Sequence, residues 1–301
     1  MKNIVYVESE CFIGVTKEGL KFSNIKTKEK KYLTFDDIGI LVFDNRKCYL
    51  SERVIEYCVT NHIGILFCDR SHSPLEMIET VYNQDRRYMR LRKQLSLTSK
   101  VKKRIWRKIV IEKIENQARC LELNNVDEEA VSLVRSVTNT IVDGDEHNGE
   151  AVAAKNYFKA LFGKTFKRGR TKDIQNASLN YGYAIIRSEI RRLLVMKGFE
   201  PSFGIHHKST VNPYNLADDV IEPYRPFVDN YIVKNVLLND SEFDGQVRKS
   251  LIKILLEKCV INGQVMYLGD AIRLTIDTLT TCIENNSSGN LKLPSFIEGG
   301  E

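Results

Sequence analysis

In the stretch GIHHKSTVNPYNLADDVIEPYRP, adjacent histidines His206 and His207 are followed by Asp218, Asp219 and Glu222. The whole chain has only 5 histidines, so their pairing with acids is a candidate half-site for a divalent cation. Hard cations such as magnesium take oxygen ligands, and one imidazole also suits manganese. On a helix, Asp219 and Glu222 align at i, i+3, and Asp218 and Glu222 at i, i+4. Pro223 suits a first helical turn and biases Glu222 away from αR geometry, so Glu222 is expected at a kink or a helix start. A plainer description fits the same residues: a solvated loop followed by the acidic start of a helix. No cysteine lies close by in sequence, which argues against structural zinc.

A second acid stands in EHNGEAVAAKNYF. Glu150 opens a predicted helix and shares a face with Ala154, Tyr157 and Leu161. Small alanines beside a carboxylate let a ligand or another backbone come close. Spacing alone favours the commoner role for Glu150, a first-turn acid that complements the helix dipole. His147 lies in the polar run DGDEHNG and is expected to be a solvated loop residue. A third set, Cys58, His62, Cys68 and His72, has the residue types for zinc but lacks a paired CxxC knuckle. Cys58 falls on the apolar face of a short predicted helix and Cys68 ends the strand GILFC, where free cysteine acts as a small hydrophobe.

The elements that must position these residues fall into two kinds. NIVYVES, CFIGVTKEGLKF, KKYLTF, IGILVFD and GILFC are rich in Val, Ile, Phe and Tyr and are predicted strands. SERVIEYCVTNH, with Ser51 as N-cap, is the one helix among them. From about residue 75 the apolar period becomes helical, beginning with a helix capped by Ser99 and running through VKKRIWRKIVIEKIENQARCLEL. DEEAVSLVRSV, GEAVAAKNYFKALF, IQNASLNYGYAIIRSEIRRLLVMKG (with Gly198 as its C′ residue), SEFDGQVRKSLIKILLEK and DAIRLTIDTLTTCIE follow. The expected architecture is α+β by segregation: a β-rich domain over residues 1–74, then an all-helical domain over 75–301. The tail NNSSGNLKLPSFIEGGE is expected to fray or dock weakly.

With 301 residues, 43% hydrophobic and 28% charged, the chain can bury a large core and reads as globular. No run reaches the roughly 20 apolar residues of a membrane span, and Glu8 and Glu10 interrupt any signal-peptide core, so a cytoplasmic location without membrane attachment is expected. The 7 cysteines are widely spaced, odd in number and without a CxxC, which fits that compartment and argues against a disulfide framework. The net charge of +6 is unevenly placed. Residues 1–74 are nearly balanced, whereas residues 84–119 carry 13 basic against 3 acidic side chains. KALFGKTFKRGRTK, at 159–172, has 6 basic residues and no acid. Such concentrations mark a polyanion partner, or else the solvated face of a lysine-rich helix.

Three segments together resemble the CRISPR-associated adaptation integrases, the first Cas protein of spacer acquisition, and in particular their type II subfamily. They are GEAVAAKNYFKALFG around Glu150, NASLNYGYAIIRSEI at 176–190 and GIHHKSTVNPYNLADDVIEPYRPFVDNYI at 204–232. The resemblance covers nearly the whole chain. It implies an N-terminal β-sandwich-like domain used in dimerisation and a larger helical catalytic domain. It implies Glu150, His207 and Glu222 as catalytic residues and as ligands of Mg2+ or Mn2+. His207 is preferred to His206 because the family's histidine is fourth in the motif that begins at Gly204. Some members have aspartate at the position of Glu222. Asp218 and Asp219 are then neighbours of the ligands, and Asn176, Asn180, Tyr181, Tyr183 and Tyr157 either brace the site or contact DNA. The implied activity is metal-dependent DNA cleavage and insertion of new spacer fragments at the leader–repeat junction of a CRISPR array. Implied partners are double-stranded DNA fragments, leader–repeat DNA, a second copy of the chain, a small ferredoxin-like companion adaptation protein and further type II Cas proteins. Basic residues in 86–108 and 164–172 are expected to meet phosphates. Two other activities stay compatible with the same residues: a structure-selective nuclease for branched DNA, and a non-catalytic DNA-binding scaffold whose acids are structural.

Overall fold

The computed structural model describes residues 3–45, 47–61, 63–69, 74–78, 86–169, 173–238 and 242–298. The chain divides into two units, Met1–Asn83 and Gln84–Glu301. The fold is α+β, with sheets in the first unit and mostly helices in the second.

In the first unit, β-branched and aromatic runs build two four-stranded sheets. One contains β1 (Asn3–Val7), β5 (Ile38–Phe43), β7 (Gly64–Cys68) and β8 (Pro74–Ile78) in that order; β7 and β8 are its antiparallel pair. The other has the order β4 (Lys30–Thr34), β3 (Gly19–Asn24), β2 (Cys11–Val15), β6 (Cys48–Leu50). Helix α1 (Glu52–Thr60) supplies Val54 and Cys58 to a single core with Val7, Ile13, Leu20, Leu41 and Ile65 from both sheets. Two sheets around one core is the sandwich-like arrangement expected. Ser51 stands at the N-cap of α1 but makes no side-chain cap bond. Burial pushes the Cys58 thiol up to about 11, so it behaves as a core hydrophobe. His62 and His72, the imidazoles of the zinc alternative, lie outside the described residues.

The second unit is organised around one long helix. Helices α2 (Arg87–Ser96), α3 (Ser99–Leu123), α4 (Glu128–Ser136), α5 (Gly149–Phe162) and α6 (Ile174–Met196) come first. Then follow α7 (Asn215–Ile221), a 3-10 turn at Glu222–Tyr224, α8 (Arg225–Asn235), α9 (Gly245–Ile252) and α10 (Leu268–Glu284). The middle of α3 is buried along its length, from Ile105 and Trp106 to Cys120 and Leu121, and it packs on α4, α5, α8 and the 3-10 turn. Its N-cap is Thr98, not Ser99: the Thr98 backbone N–H and hydroxyl both donate to Asn286 Oδ1. Helix α6 ends as expected. Gly198, at φ 80°, donates to Val195 O while Phe199 donates to Leu194 O, which is a Schellman ending.

Two expectations for this unit are corrected. It is not all-helical, because β9 (Lys258–Ile261) and β10 (Gln264–Tyr267) form an antiparallel hairpin. Asn262 and Gly263 turn it, both at positive φ (52° and 75°), the two-residue geometry that Asn-Gly favours. The tail also docks firmly. Ser295 pairs with Val260 on β9, Phe296 stacks on Phe227 at 4.0 Å, and Pro294 O accepts from buried Asn116 at 2.8 Å. Among the described residues no helix is long and apolar enough to cross a membrane.

Candidate active site

Glu150 is presented by the first turn of α5, and Asp145 takes over the capping that Glu150 could have performed. Asp145 is buried in the loop before α5, and its two carboxylate oxygens accept from the backbone N–H groups of Gly149 (2.9 Å) and Glu150 (3.0 Å). The orphan donors of the helix start are thereby satisfied. The Glu150 side chain turns instead toward α3, where its Oε1 lies 2.5 Å from Lys113 Nζ. Gly149 fits here because a Cβ would come within 2.4 Å of Ile141. His147 is exposed, as expected of a loop histidine.

Glu222 reaches the same ammonium from the other side. It opens the 3-10 turn between α7 and α8, the break expected beside Pro223, but the bias away from αR is not followed: Glu222 has φ −51° and ψ −47°. Only 4% of Glu222 is exposed. One oxygen bonds Lys113 Nζ and the other accepts from Arg225 Nε at 2.9 Å. Burial alone would raise its pKa, but Arg225 and Lys113 hold the carboxyl well below the usual range. Burial likewise opposes the charge on Lys113, and Glu222 and Glu150 more than offset it, so the amine stays protonated. The Arg225 guanidinium lies 4.5 Å from the centre of the Tyr183 ring. The Tyr183 and Tyr157 hydroxyls both donate to buried Asp229, at 2.5 and 2.8 Å.

His207 is held by Asp219 on α7. Asp219 is fully buried and accepts from the backbone N–H groups of Ile205 (2.5 Å), His206 (3.1 Å) and His207 (3.0 Å). The same carboxylate meets His207 Nδ1 at 2.7 Å, leaving Nε2 as the ring's other nitrogen. That hydrogen bond raises the His207 pKa against the opposing effect of burial. Gly204 makes the wrap possible, since a Cβ there would sit 2.3 Å from His207 O and 2.8 Å from Asp219 Oδ2. Asn215 closes the loop from below, donating to Ser202 O and Ser209 O. The His206 side chain takes no part in this cradle, to which only its backbone N–H contributes. Its ring stacks on Trp106 of α3 at 4.1 Å and 4°, and burial lowers its pKa. Asp218 accepts from Asn212 at 2.7 Å and lies 3.7 Å from Arg187.

The three candidate ligands are therefore brought together only in part. Glu150 and Glu222 converge on one point, and Lys113 stands at that point. His207 is near enough to feel the Glu222 charge and meets Trp106 edge-on at 5.7 Å. Yet among the described residues no three His, Cys, Asp or Glu side chains form a group able to hold a metal ion. The donor types fit a hard divalent cation: two carboxylates already share one cation, beside an imidazole oriented by a carboxylate. Lys113, Asp145 and Arg225 were not singled out from the sequence. Lys113 had a signal, because it continues the buried Ile105–Ile109 stripe at i+4, where a lysine needs a partner.

The basic segments are partly spent inside the fold. Lys103 pairs with Glu146, Arg104 with Asp143 and Arg90 with Glu284, while Arg107 and Lys108 donate to backbone carbonyls. Lys102, Lys103 and Lys208 still line a cavity of about 420 Å³ beside Trp106 and His206. Asn176 braces the second segment. It accepts from Arg168 and from Gly169 N–H, and donates to Lys167 O.

Residues 4–262 match the family model described as CRISPR associated protein Cas1. The chain belongs to the Cas1 family. It is 31% identical over 271 residues to the CRISPR-associated endonuclease Cas1 of Neisseria meningitidis, covering 89% of this chain and 88% of that one. A Cas1 endonuclease of Francisella tularensis is 24% identical over 93% of this chain and 95% of its own. The fold is also that of a Cas1 protein from Thermotoga maritima, with a TM-score of 0.72 at 16% identity over 93% of this chain and 96% of that one. A casposase bound to integration product has a TM-score of 0.76 at 16% identity, covering all of this chain and 94% of the casposase. The Neisseria and Francisella relatives are both named endonucleases.

Proposed function

We propose that the chain is a metal-dependent DNA endonuclease and integrase that inserts spacer fragments into a CRISPR array, within the type II group. The observation that carries this reading is the convergence of Glu150 and Glu222, from α5 and the α7–α8 turn, on one cation position beside the Asp219-held His207. Glu150, His207 and Glu222 would hold Mg2+ or Mn2+. Such an ion, when bound, activates an attacking oxygen and neutralises charge on a phosphodiester. In the proposed reaction a 3′-hydroxyl of the fragment attacks a backbone phosphate of the array and displaces the strand's own 3′-oxygen. With water as nucleophile, the same site hydrolyses DNA. Arg225 fixes the Glu222 carboxylate, Asp219 sets the His207 ring, and Lys102, Lys103 and Lys208 border the cleft where phosphates would lie. A second copy of the chain pairing through the N-terminal unit, a small companion adaptation protein and other type II Cas proteins complete the proposed cytoplasmic assembly.

The test is strand transfer of pre-formed fragments into a supercoiled CRISPR plasmid. Glu150→Ala is expected to abolish the covalent fragment–plasmid product while keeping most DNA binding. Full activity of that variant with magnesium or manganese would overturn the assignment. Nicking without a covalent product by the unaltered protein supports the branched-DNA nuclease. One observation favours the scaffold alternative, namely that both carboxylates are already satisfied by an internal ammonium. Under that alternative EDTA leaves every activity unchanged.

A further inference from the structure

Lys113 is out of character for its place. It lies on α3 among Ile109, Val110, Ile114 and Gln117, and its side chain is 7% exposed. Lysine is seldom buried so deeply without a partner. Here it has two, the Oε1 of Glu150 and the Oε2 of Glu222. The remaining Glu222 oxygen belongs to Arg225. Both carboxylates therefore direct an oxygen at one nitrogen, which places those oxygens close to each other. Without a cation between them, two negative charges would face one another, one of them almost wholly out of water. The ammonium provides that cation from within the chain.

We propose that Lys113 is an internal counter-cation that holds the Glu150–Glu222 pair ready, and that a divalent ion binds by displacing it. The inference rests on the metal reading of this site. Magnesium needs carboxylate oxygens at about 2.0–2.1 Å, and the oxygens it would use are the two that now hold the ammonium. Both cations cannot occupy one position, and their mutual repulsion opposes any shared arrangement. Lysine suits displacement: its charge sits on a flexible four-carbon stem, whereas Arg225 is a planar fork fixed on the far oxygen and on the Tyr183 face. This accounts for a site that shows two converging carboxylates but no three-ligand group among the described residues. The two carboxylates are arranged before the ion arrives, and the ion must compete for them. Competition of this kind weakens divalent binding relative to what the ligands alone would allow, and it keeps the ion-free protein folded.

The experiment compares Mn2+ binding to the full-length wild type and Lys113→Met by electron paramagnetic resonance, with thermal unfolding in EDTA and in Mn2+. The expected result is at least tenfold tighter Mn2+ binding by the variant. It should also have a lower Tm in EDTA and a larger Mn2+-induced rise in Tm than wild type. Equal or weaker Mn2+ binding by a folded variant, with binding by wild type intact, overturns the inference and leaves the metal reading standing. If neither protein binds Mn2+, the metal reading itself fails and Lys113 is a structural ion-pair partner. A second measurement needs no variant: amine labelling of wild-type Lys113, read by peptide mass spectrometry. Saturating Mn2+ is expected to increase Lys113 labelling severalfold, and unchanged or reduced labelling overturns displacement.

Discussion

Glu222 and Asp229 are two buried carboxylates a short way apart on the same stretch of chain, and they titrate in opposite directions. Exposure does not distinguish them, at 4% and 1%. Partners do. Glu222 faces the cations Lys113 and Arg225, which hold its proton affinity well below normal despite burial. Asp229 faces the hydroxyls of Tyr157 and Tyr183, and burial pushes its pKa up to about 6 against those hydrogen bonds. Neutral donors stabilise a carboxylate less than full charges do, so desolvation wins at Asp229 and loses at Glu222. The first carboxylate is poised to hold a cation. The second joins α5, α6 and α8 through its two tyrosines and supports the Tyr183 ring under Arg225.

The largest expected effect separates these two roles. Glu222→Gln keeps the shape but removes the charge that both cations share. Strand transfer is expected to fall at least 100-fold. Stability is expected to fall by about 3 kcal/mol, the lower end for breaking a buried pair, since Lys113 keeps Glu150. Asp229→Asn is expected to keep strand transfer within a fewfold of wild type. Parallel activity and denaturant unfolding of the two variants check this, and equal losses in both would erase the distinction.

An intermediate effect is expected at Asp219, which orients a site residue without itself meeting a cation. Asp219→Asn retains an acceptor for some of the backbone N–H groups of residues 205–207 but weakens the hold on the His207 ring. A loss of 10–100-fold in divalent affinity is expected, the usual range for a partner behind a metal-bound histidine. Mn2+ titration of the variant measures it. Unchanged affinity with unchanged folding would remove His207 from the ligand set.

Much of this arrangement was legible in residue types and spacing, because those signals are local. Runs rich in Val, Ile, Phe and Tyr mark the strands, Gly198 marks the end of α6, and Pro223 marks the break beside Glu222. The Asn262–Gly263 turn is equally local, but the strands it joins are only four residues each and the first begins at Lys258, where the predicted helix ends. The docking of Ser295 and Phe296 could not be read from a polar tail, since it depends on β9 and Phe227, which are distant in sequence. The same limit applies at the site. His206 and His207 are neighbours in sequence, and what separates them is tertiary: Asp219 behind one ring and Trp106 under the other. Lys113 lies in the basic stretch 84–119 but beyond the residues 86–108 expected to meet phosphates, and charge alone gives no sign that burial points it inward.

The smallest effect tests the opposite titrations directly. For Asp229 the folded pKa, about 6, lies above the ordinary aspartate value of 3.8. The folded state therefore binds the extra proton between those values. Stability from this group is fully present below about pH 4 and is lost as pH rises through about 6. A shift of this size corresponds to at most about 3 kcal/mol across that window. Asn carries no such proton, so the stability of wild type relative to Asp229→Asn is expected to fall steadily from pH 4 to pH 6.5 and then level off. Glu222 has the reverse sign. Its depressed pKa contributes stability that is present above the normal glutamate range and lost as pH falls below it. Relative to Glu222→Gln, wild type is thus expected to lose stability on acidification, where relative to Asp229→Asn it gains. Denaturant midpoints of the three proteins between pH 3 and 7 measure both slopes, that of Asp229 above pH 4 and that of Glu222 below about pH 4.5. Slopes of the same sign would mean that the cations around Glu222 and the hydroxyls around Asp229 do not differ in the way that divides the two carboxylates into an ion-holding group and a structural one.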